Sequence, residues 1–210
     1  DRYQTLDASF HPIIRDDLCC YKSSSKVIDL AKKYSSDLHV LHLTTEKEIK
    51  LFENIDLKKK KITCEVCVHH LWFDESDYEK LGNFIVCNPA IKKVSDRNAL
   101  RKALKDGFID YVATDHAPHS YDDKKLPYGK APAGIPLIEH SFHMMIELYK
   151  QGYYSLEEVI SYMSHNVADR FSIQDRGYVR EGYKADLMMF DLDKTTPVTN
   201  ETEKTKCGWT

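Results

Sequence analysis

Tyr111-Val112-Ala113-Thr114-Asp115-His116-Ala117-Pro118-His119 is where this chain concentrates side chains able to do chemistry. A short apolar run, suited to one buried strand, ends in an acid and two histidines within five residues. Strands of α/β folds bury their middles and open at their carboxyl ends, so these titratable groups fall where such folds place their sites. Three further apolar runs end in a similar way, at His42, at His69-His70 and at Asn88-Pro89. Imidazoles and a carboxylate on one rim suit a hydrolytic site of the Zn²⁺ type, because neutral imidazole and carboxylate are first-choice zinc ligands. A lone buried histidine is more often a satisfied core residue. Four strand ends converging on the same chemistry outweigh that reading.

Strand geometry separates the neighbours. His39 and His42 are three apart and face opposite sides of a strand. His42, at the carboxyl end, is the better ligand, and His39 is expected to be structural. His69 and His70 also face opposite ways; His69 continues the parity of Glu65 and Cys67, and periodicity does not decide which parity points inward. Cys64-x-x-Cys67 beside two histidines invites a zinc-knuckle or redox reading, but i, i+3 sulfurs diverge along a strand and no second CxxC completes the set. Phosphate-cradling loops (GxGxxG, GxxxxGKS/T) and the GxSxG nucleophile elbow are absent. Gly129 to Gly134 is a loop of small residues that would let backbone amides approach a ligand, although an ordinary surface loop has the same composition.

These groups need elements to position them. Residues 1–23 carry no clear period. Ser24 or Ser25 is expected to cap a helix with Val27, Ile28, Leu30, Ala31 and Tyr34 mostly on one face. Asp37 to Leu43 reads as a strand, and Thr45-Glu46-Lys47-Glu48 as a capping box whose helix turns Ile49, Phe52 and Ile55 inward. The lysine run Lys58–Lys61 reads as a solvated turn before the strand Ile62–Val68. A short polar helix at Asp74–Lys80 and a third strand, Phe84–Cys87, come next. Ser95 caps a helix that Gly107 stops, and the strand at Tyr111 follows. Ser120 to Pro136 is a polar loop long enough to be a lid. Helices are expected over Ile138–Gln151 and from a capping box at Ser155 to Met163. From Gly177 the pattern changes to short β-type runs, clearest at Ala185–Asp191, which places a domain boundary near residue 172. The alternation predicts four parallel β/α units, either half of an eight-stranded barrel or a small open sheet.

With 42% apolar and 30% charged residues and a net charge of −3, the chain is an ordinary globular one with no reason to bind nucleic acid or an anionic membrane. No apolar run approaches the roughly 18 residues of a membrane span. Six cysteines without a disulfide rhythm read as reduced thiols of a cytoplasmic protein.

Asp115-His116-Ala117-Pro118-His119 resembles the dihydroorotase family of the amidohydrolase superfamily. The resemblance extends over almost the whole chain. It takes in His39-Val40-Leu41-His42-Leu43-Thr44, Cys67-Val68-His69-His70-Leu71, Asn88-Pro89-Ala90-Ile91, Ala131-Pro132-Ala133-Gly134-Ile135 and Gly177…Gly182…Ala185-Asp186-Leu187. It implies a (β/α)₈ barrel with a small β-sandwich built from both chain ends. Residues 1–172 would form the carboxyl-terminal portion of the barrel and 173–210 part of the sandwich. It assigns His42 and His69 as ligands of a divalent metal, Zn²⁺ first and binuclear in the complete enzyme, and Asp115 as a ligand that also shuttles the proton. Asn88, His119 and the backbone of Ala133 and Gly134 match substrate-binding positions. The implied reaction interconverts N-carbamoyl-L-aspartate and L-dihydroorotate in pyrimidine synthesis, with a shared hydroxide whose pKa two metals lower. A homodimer and an association with aspartate carbamoyltransferase are compatible with the resemblance.

Two departures stand out. No HxH pair occurs in the 210 residues, and a metal-bridging acid or modified lysine should also lie upstream, so the sequence is expected to be part of a longer enzyme and inactive alone. Leu137 stands where many relatives have glycine. Two other readings compete. One is another cyclic amidohydrolase (allantoinase, dihydropyrimidinase or hydantoinase), which resembles this chain at Asp-His but lacks the Ala-Pro-His continuation. The other is an inactive dihydroorotase-like subunit that scaffolds aspartate carbamoyltransferase; retention of His42, His69 and Asp115 counts against it.

Overall fold

The structure, a computed structural model, describes residues 7–210. Residues 1–6, part of the aperiodic opening stretch, lie outside the described residues. Its centre is a parallel sheet of three strands, β1 (Leu38–Val40), β2 (Ile62–Cys67) and β3 (Tyr111–Ala113), in the order β1-β2-β3. Leu38 pairs with Ile62 and Val40 with Cys64, while Glu65 pairs with Tyr111 and Cys67 with Ala113. Parallel registers bring all three carboxyl ends to one edge, and the polar groups of the motifs follow those ends.

Among the described residues, ten α-helices surround the sheet: α1 (His11–Ile14), α2 (Asp17–Tyr34), α3 (Glu46–Ile49), α4 (Val68–Trp72), α5 (Tyr78–Leu81), α6 (Val94–Lys105), α7 (Tyr121–Lys124), α8 (Ser141–Lys150), α9 (Leu156–Ile160) and α10 (Asn166–Phe171). A π-helical turn, Ser161–His165, joins the last two. The core lies between β2 and the inner faces of α4, α6 and α8, with Val66, Leu71, Leu100, Leu104, Met145 and Leu148 all buried. Each such side chain contributes about 1.5–3 kcal/mol. Two caps appear as expected. Thr45 accepts a hydrogen bond from the Glu48 amide, and Ser155 and Glu158 form a reciprocal capping box.

Several expectations change. The strand anticipated over Asp37–Leu43 stops at Val40, because the chain turns at His42 with φ at 40°. The run Phe84–Cys87 forms no strand. Gly82–Ile85 is a 3₁₀ turn, and the Val86 carbonyl is taken by the Gly134 amide (2.8 Å) and the Lys124 ammonium (3.2 Å) instead of a neighbouring strand. The sheet therefore has three strands where four were expected. α2 starts seven residues before Ser24, capped by Asp16, whose carboxylate accepts from the Cys19 amide. Only Ser24, Ile28 and Ala31 of that helix are buried, leaving Val27, Leu30 and Tyr34 exposed. Phe52 is buried but Ile55 is exposed. Ser95 caps nothing, since α6 begins at Val94.

The lysine run is not wholly solvated. Lys60 is buried, pairing with Asp110 at 2.6 Å and donating to the Gly107 carbonyl at 2.8 Å, while Asp110 also accepts the Cys64 amide. This pair ties β2 to the start of β3. Helix α10 ends at Phe171 with Ser172 in the left-handed region. No strand forms among the described residues after Ala113, so Ala185–Asp191 is not a strand, and Leu187, Met188 and Met189 lie exposed. The loop Ser120–Pro136 holds the short helix α7 and folds against Val86.

Candidate active site

His42 and Asp115 occupy matching places. Each lies two residues beyond its strand, after β1 and β3 respectively, and each has a positive φ, 40° and 45°. A left-handed backbone at a non-glycine residue costs on the order of 1–3 kcal/mol and concentrates at functional positions. The two form a symmetric pair of strained rim residues, aimed by their strands.

The second strand delivers its histidines differently from expectation. β2 ends at Cys67 and α4 begins at Val68 with no intervening loop, so His69 and His70 sit in a first helical turn. They do not face opposite ways: both are buried and their ring centroids are 4.2 Å apart. His70 Nε2 donates to the Pro89 carbonyl at 3.0 Å. Both ring nitrogens of His69 are buried without a hydrogen-bond partner. Burial, and secondarily the charge of His42, holds the His69 pKa down at about 3, so its imidazole is neutral. A buried neutral imidazole with a free lone pair is what a metal requires and is otherwise unfavourable. His69 therefore has the chemistry of a metal ligand.

Asp115 is exposed at the rim, yet partial burial is the first cause of its raised pKa; His42 opposes that shift and Glu65 adds to it. His42, Glu65, His69 and Asp115 thus share one electrostatic neighbourhood. Among the described residues, the groups whose ligand atoms all lie within 4.8 Å are Cys67-His69-His70 and Glu139-His140-Glu203, and neither contains His42 or Asp115. Cys64 joins no such group, as divergence along a strand requires; burial raises both the Cys64 and Cys67 thiols well above the usual range. In the second group His140 Nε2 meets Glu203 at 2.7 Å, fastening the segment around Glu203 to the start of α8.

Glu65 escaped the sequence reading. Its signal was an acid in the middle of an apolar strand. Buried on β2, it reaches His39 Nε2 at 3.1 Å and accepts from the His42 amide at 3.4 Å. His39 also meets the Tyr111 hydroxyl at 2.5 Å and the Thr63 hydroxyl at 2.9 Å, so it braces the three strands together, consistent with a structural role. His116 is structural as well, its Nδ1 accepting from the Leu137 and Ile138 amides.

Of the expected substrate positions, His119, Ala133 and Gly134 lie together, while Asn88 stands two residues after Val86, whose carbonyl accepts the Gly134 amide. Asn88 is exposed on a cis Asn88–Pro89 bond, flanked by the Cys87 carbonyl, which accepts from His11 Nε2 at 2.9 Å, and by the Pro89 carbonyl held by His70. His119 Nε2 donates to the Ala133 carbonyl at 3.0 Å. Gly134 has φ 147°, and a Cβ there would fall 2.6 Å from the Ala117 methyl. Glycine is obligatory at that crossing. Leu137, which departs from the glycine of the family resemblance, is buried.

Parallel strands whose carboxyl ends carry a metal-compatible histidine and an acid agree with the family comparison: the amidohydrolase family profile matches residues 24–208, and the chain belongs to that family. Within it, the chain is 38% identical over 173 residues to the dihydroorotase of Ligilactobacillus salivarius, covering 82% of this chain and 40% of that protein. It is 31% identical over 209 residues to the dihydroorotase of Methanosarcina acetivorans, covering 96% and 45%. Among solved structures, L-hydantoinase from Arthrobacter aurescens superposes with a TM-score of 0.80 at 26% identity, covering 86% of this chain and 41% of that one. Dihydroorotase from Saccharomyces cerevisiae superposes with a TM-score of 0.66 at 21% identity, covering 72% and 43%; at that identity the likeness is one of fold. The chain spans less than half the length of these relatives.

Proposed function

We propose that the intact protein is a dihydroorotase, interconverting N-carbamoyl-L-aspartate and L-dihydroorotate, and that this chain supplies the carboxyl-terminal half of its (β/α)₈ barrel (1–172) and part of a β-sandwich (173–210). The observation that carries the reading is the rim itself. His42 and Asp115 stand at matching strand ends, His69 is buried with both ring nitrogens unbonded, and His42 acts electrostatically on both His69 and Asp115. Curated relatives at 30–38% identity bearing the name dihydroorotase support this choice over a hydantoinase.

His42, His69 and Asp115 would hold a divalent metal, with Zn²⁺ the first candidate and a second ion bound by residues outside this chain. When bound, the metal would act as a Lewis acid on the ring carbonyl and lower the pKa of a water. Asp115 would take the proton of the attacking water and return it to the amide nitrogen that leaves as the ring opens. A positioned acid–base contributes about 10²- to 10⁴-fold. Its raised pKa moves it toward the range in which such transfer is efficient. Asn88, His119 and the Ala133–Gly134 backbone would bind the ring and its carboxylate. That interaction selects an acidic ring over a neutral hydantoin.

We further propose a cytoplasmic location, in keeping with six free thiols. No helix among the described residues is long and apolar enough to cross a membrane. A second copy and aspartate carbamoyltransferase are the partners to test. The deciding experiment offers the intact protein L-dihydroorotate, hydantoin and allantoin in parallel. Turnover of dihydroorotate is expected; turnover of a neutral ring alone would reassign the protein to the other cyclic amidohydrolases, and no turnover with a dihydroorotase-like complex would favour the scaffold.

A further inference from the structure

One buried side chain bonds the backbone on both sides of the substrate positions proposed above. Lys124, the last residue of α7, has no exposed surface, an uncommon state for a lysine. Its ammonium donates to the carbonyls of Val86 (3.2 Å), Pro132 (2.9 Å) and Gly134 (3.0 Å). Those three bonds use all of its donors. The Val86 carbonyl also accepts the Gly134 amide, and Val86 lies two residues before Asn88. Ala133 sits between Pro132 and Gly134 and receives His119 Nε2. Above the ammonium, 5.6 Å away, lies the ring of Trp209, whose indole N–H donates to the His119 carbonyl at 2.7 Å.

We propose that Lys124 is a positioning residue for substrate binding: its ammonium fixes the Asn88 turn against the His119–Gly134 loop so that the two halves of the substrate pocket keep one spacing. The identity of the substrate rests on the dihydroorotase reading, whereas the pinning does not. Among the described residues no carboxylate pairs with Lys124; its partners are carbonyl dipoles, so an apolar side chain of equal length cannot replace its three donors. Burial lowers the Lys124 pKa to about 8. The titratable group acting on it from the packed elements is the Cys87 thiol, itself pushed up to about 12. As pH rises through that value Lys124 loses one donor and turns a lone pair toward a carbonyl, which loosens the grip.

The test compares Lys124→Met and Lys124→Arg with the unaltered intact protein, following kcat and KM for L-dihydroorotate against pH and hydrogen exchange at the Gly134 amide. Lys124→Met is expected to raise KM about tenfold, the equivalent of roughly one lost hydrogen bond, with a much smaller change in kcat. Exchange at Gly134 should accelerate. The unaltered protein should show KM rising near pH 8, and Lys124→Arg, which stays charged, should recover part of the affinity and lose that rise. Unchanged Gly134 exchange in Lys124→Met overturns the pinning; faster exchange with unchanged KM overturns its role in binding. If Lys124→Met does not fold, the pH dependence of KM in the unaltered and Arg proteins decides. If the unaltered protein turns over no dihydroorotate, the functional reading fails separately, and Gly134 exchange still judges the pinning.

Discussion

Gly134→Ala is the sharpest perturbation the structure offers. The new Cβ would lie 2.6 Å from the Ala117 methyl, 2.7 Å from the Ala117 carbonyl oxygen and 2.9 Å from the His119 ring. None of these neighbours is the free end of a flexible chain. Ala117 is anchored through its amide to the Ile135 carbonyl (3.1 Å), and His119 is held by Ala133 and Trp209. Overpacking of this kind costs about 1–3 kcal/mol. The φ of 147° at a residue bearing a side chain adds on the order of 1–3 kcal/mol. The sum is about 2–6 kcal/mol, a large part of a typical stability of about 5–15 kcal/mol. Gly129, on the same loop with φ 87° and nothing within 4 Å of a built Cβ, provides the control. Gly129→Ala bears only the backbone term, about 1–2 kcal/mol. Thermal unfolding of the two variants should therefore separate by several degrees, at about 2–4 °C per kcal/mol for a domain of this size. A second comparison sharpens the cause. Ala117→Gly removes the methyl but not the carbonyl, so the double variant should regain only part of the loss. Equal melting temperatures for Gly134→Ala and Gly129→Ala would refute the steric reasoning.

Asp115→Ala in the intact protein should abolish dihydroorotate turnover while leaving the circular dichroism spectrum and melting temperature nearly unchanged; near-normal activity would remove Asp115 from proton transfer. Lys60→Met leaves Asp110 buried without its partner and should destabilise by roughly 3–5 kcal/mol, measured by denaturant unfolding. A loss below about 1 kcal/mol would mean that water reaches Asp110.

The parts legible from sequence were those whose bonding is local. Thr45 and Ser155 announce their helices because a hydroxyl and the amide three residues later are close in any chain that turns there. The middle of β2 was legible because a strand buried on both faces needs no long-range information, and β1 and β3 because short apolar runs mark them. The misread elements depend on distant partners. Phe84–Cys87 has a strand's composition, but its carbonyl at Val86 belongs to Lys124, 38 residues on. His69 and His70 were read as strand residues because no turn residue separates Cys67 from Val68; on a helix their rings become neighbours instead of opposites.

Lys60 and Lys124 share one lesson. A lysine within a polar stretch reads as solvated, and nothing in its surroundings reveals that Asp110, or three carbonyls, will replace water. Both lie at junctions where one segment must be fixed against another that is far away in sequence: β2 against β3 for Lys60, the Asn88 turn against the His119–Gly134 loop for Lys124. A buried ammonium suits such junctions because each of its three donors can satisfy a different backbone segment, which an apolar contact cannot do with the same directionality. The candidate ligands could be named from residue types and resemblance. What holds their surroundings in place became visible only when the folded chain brought those lysines inside.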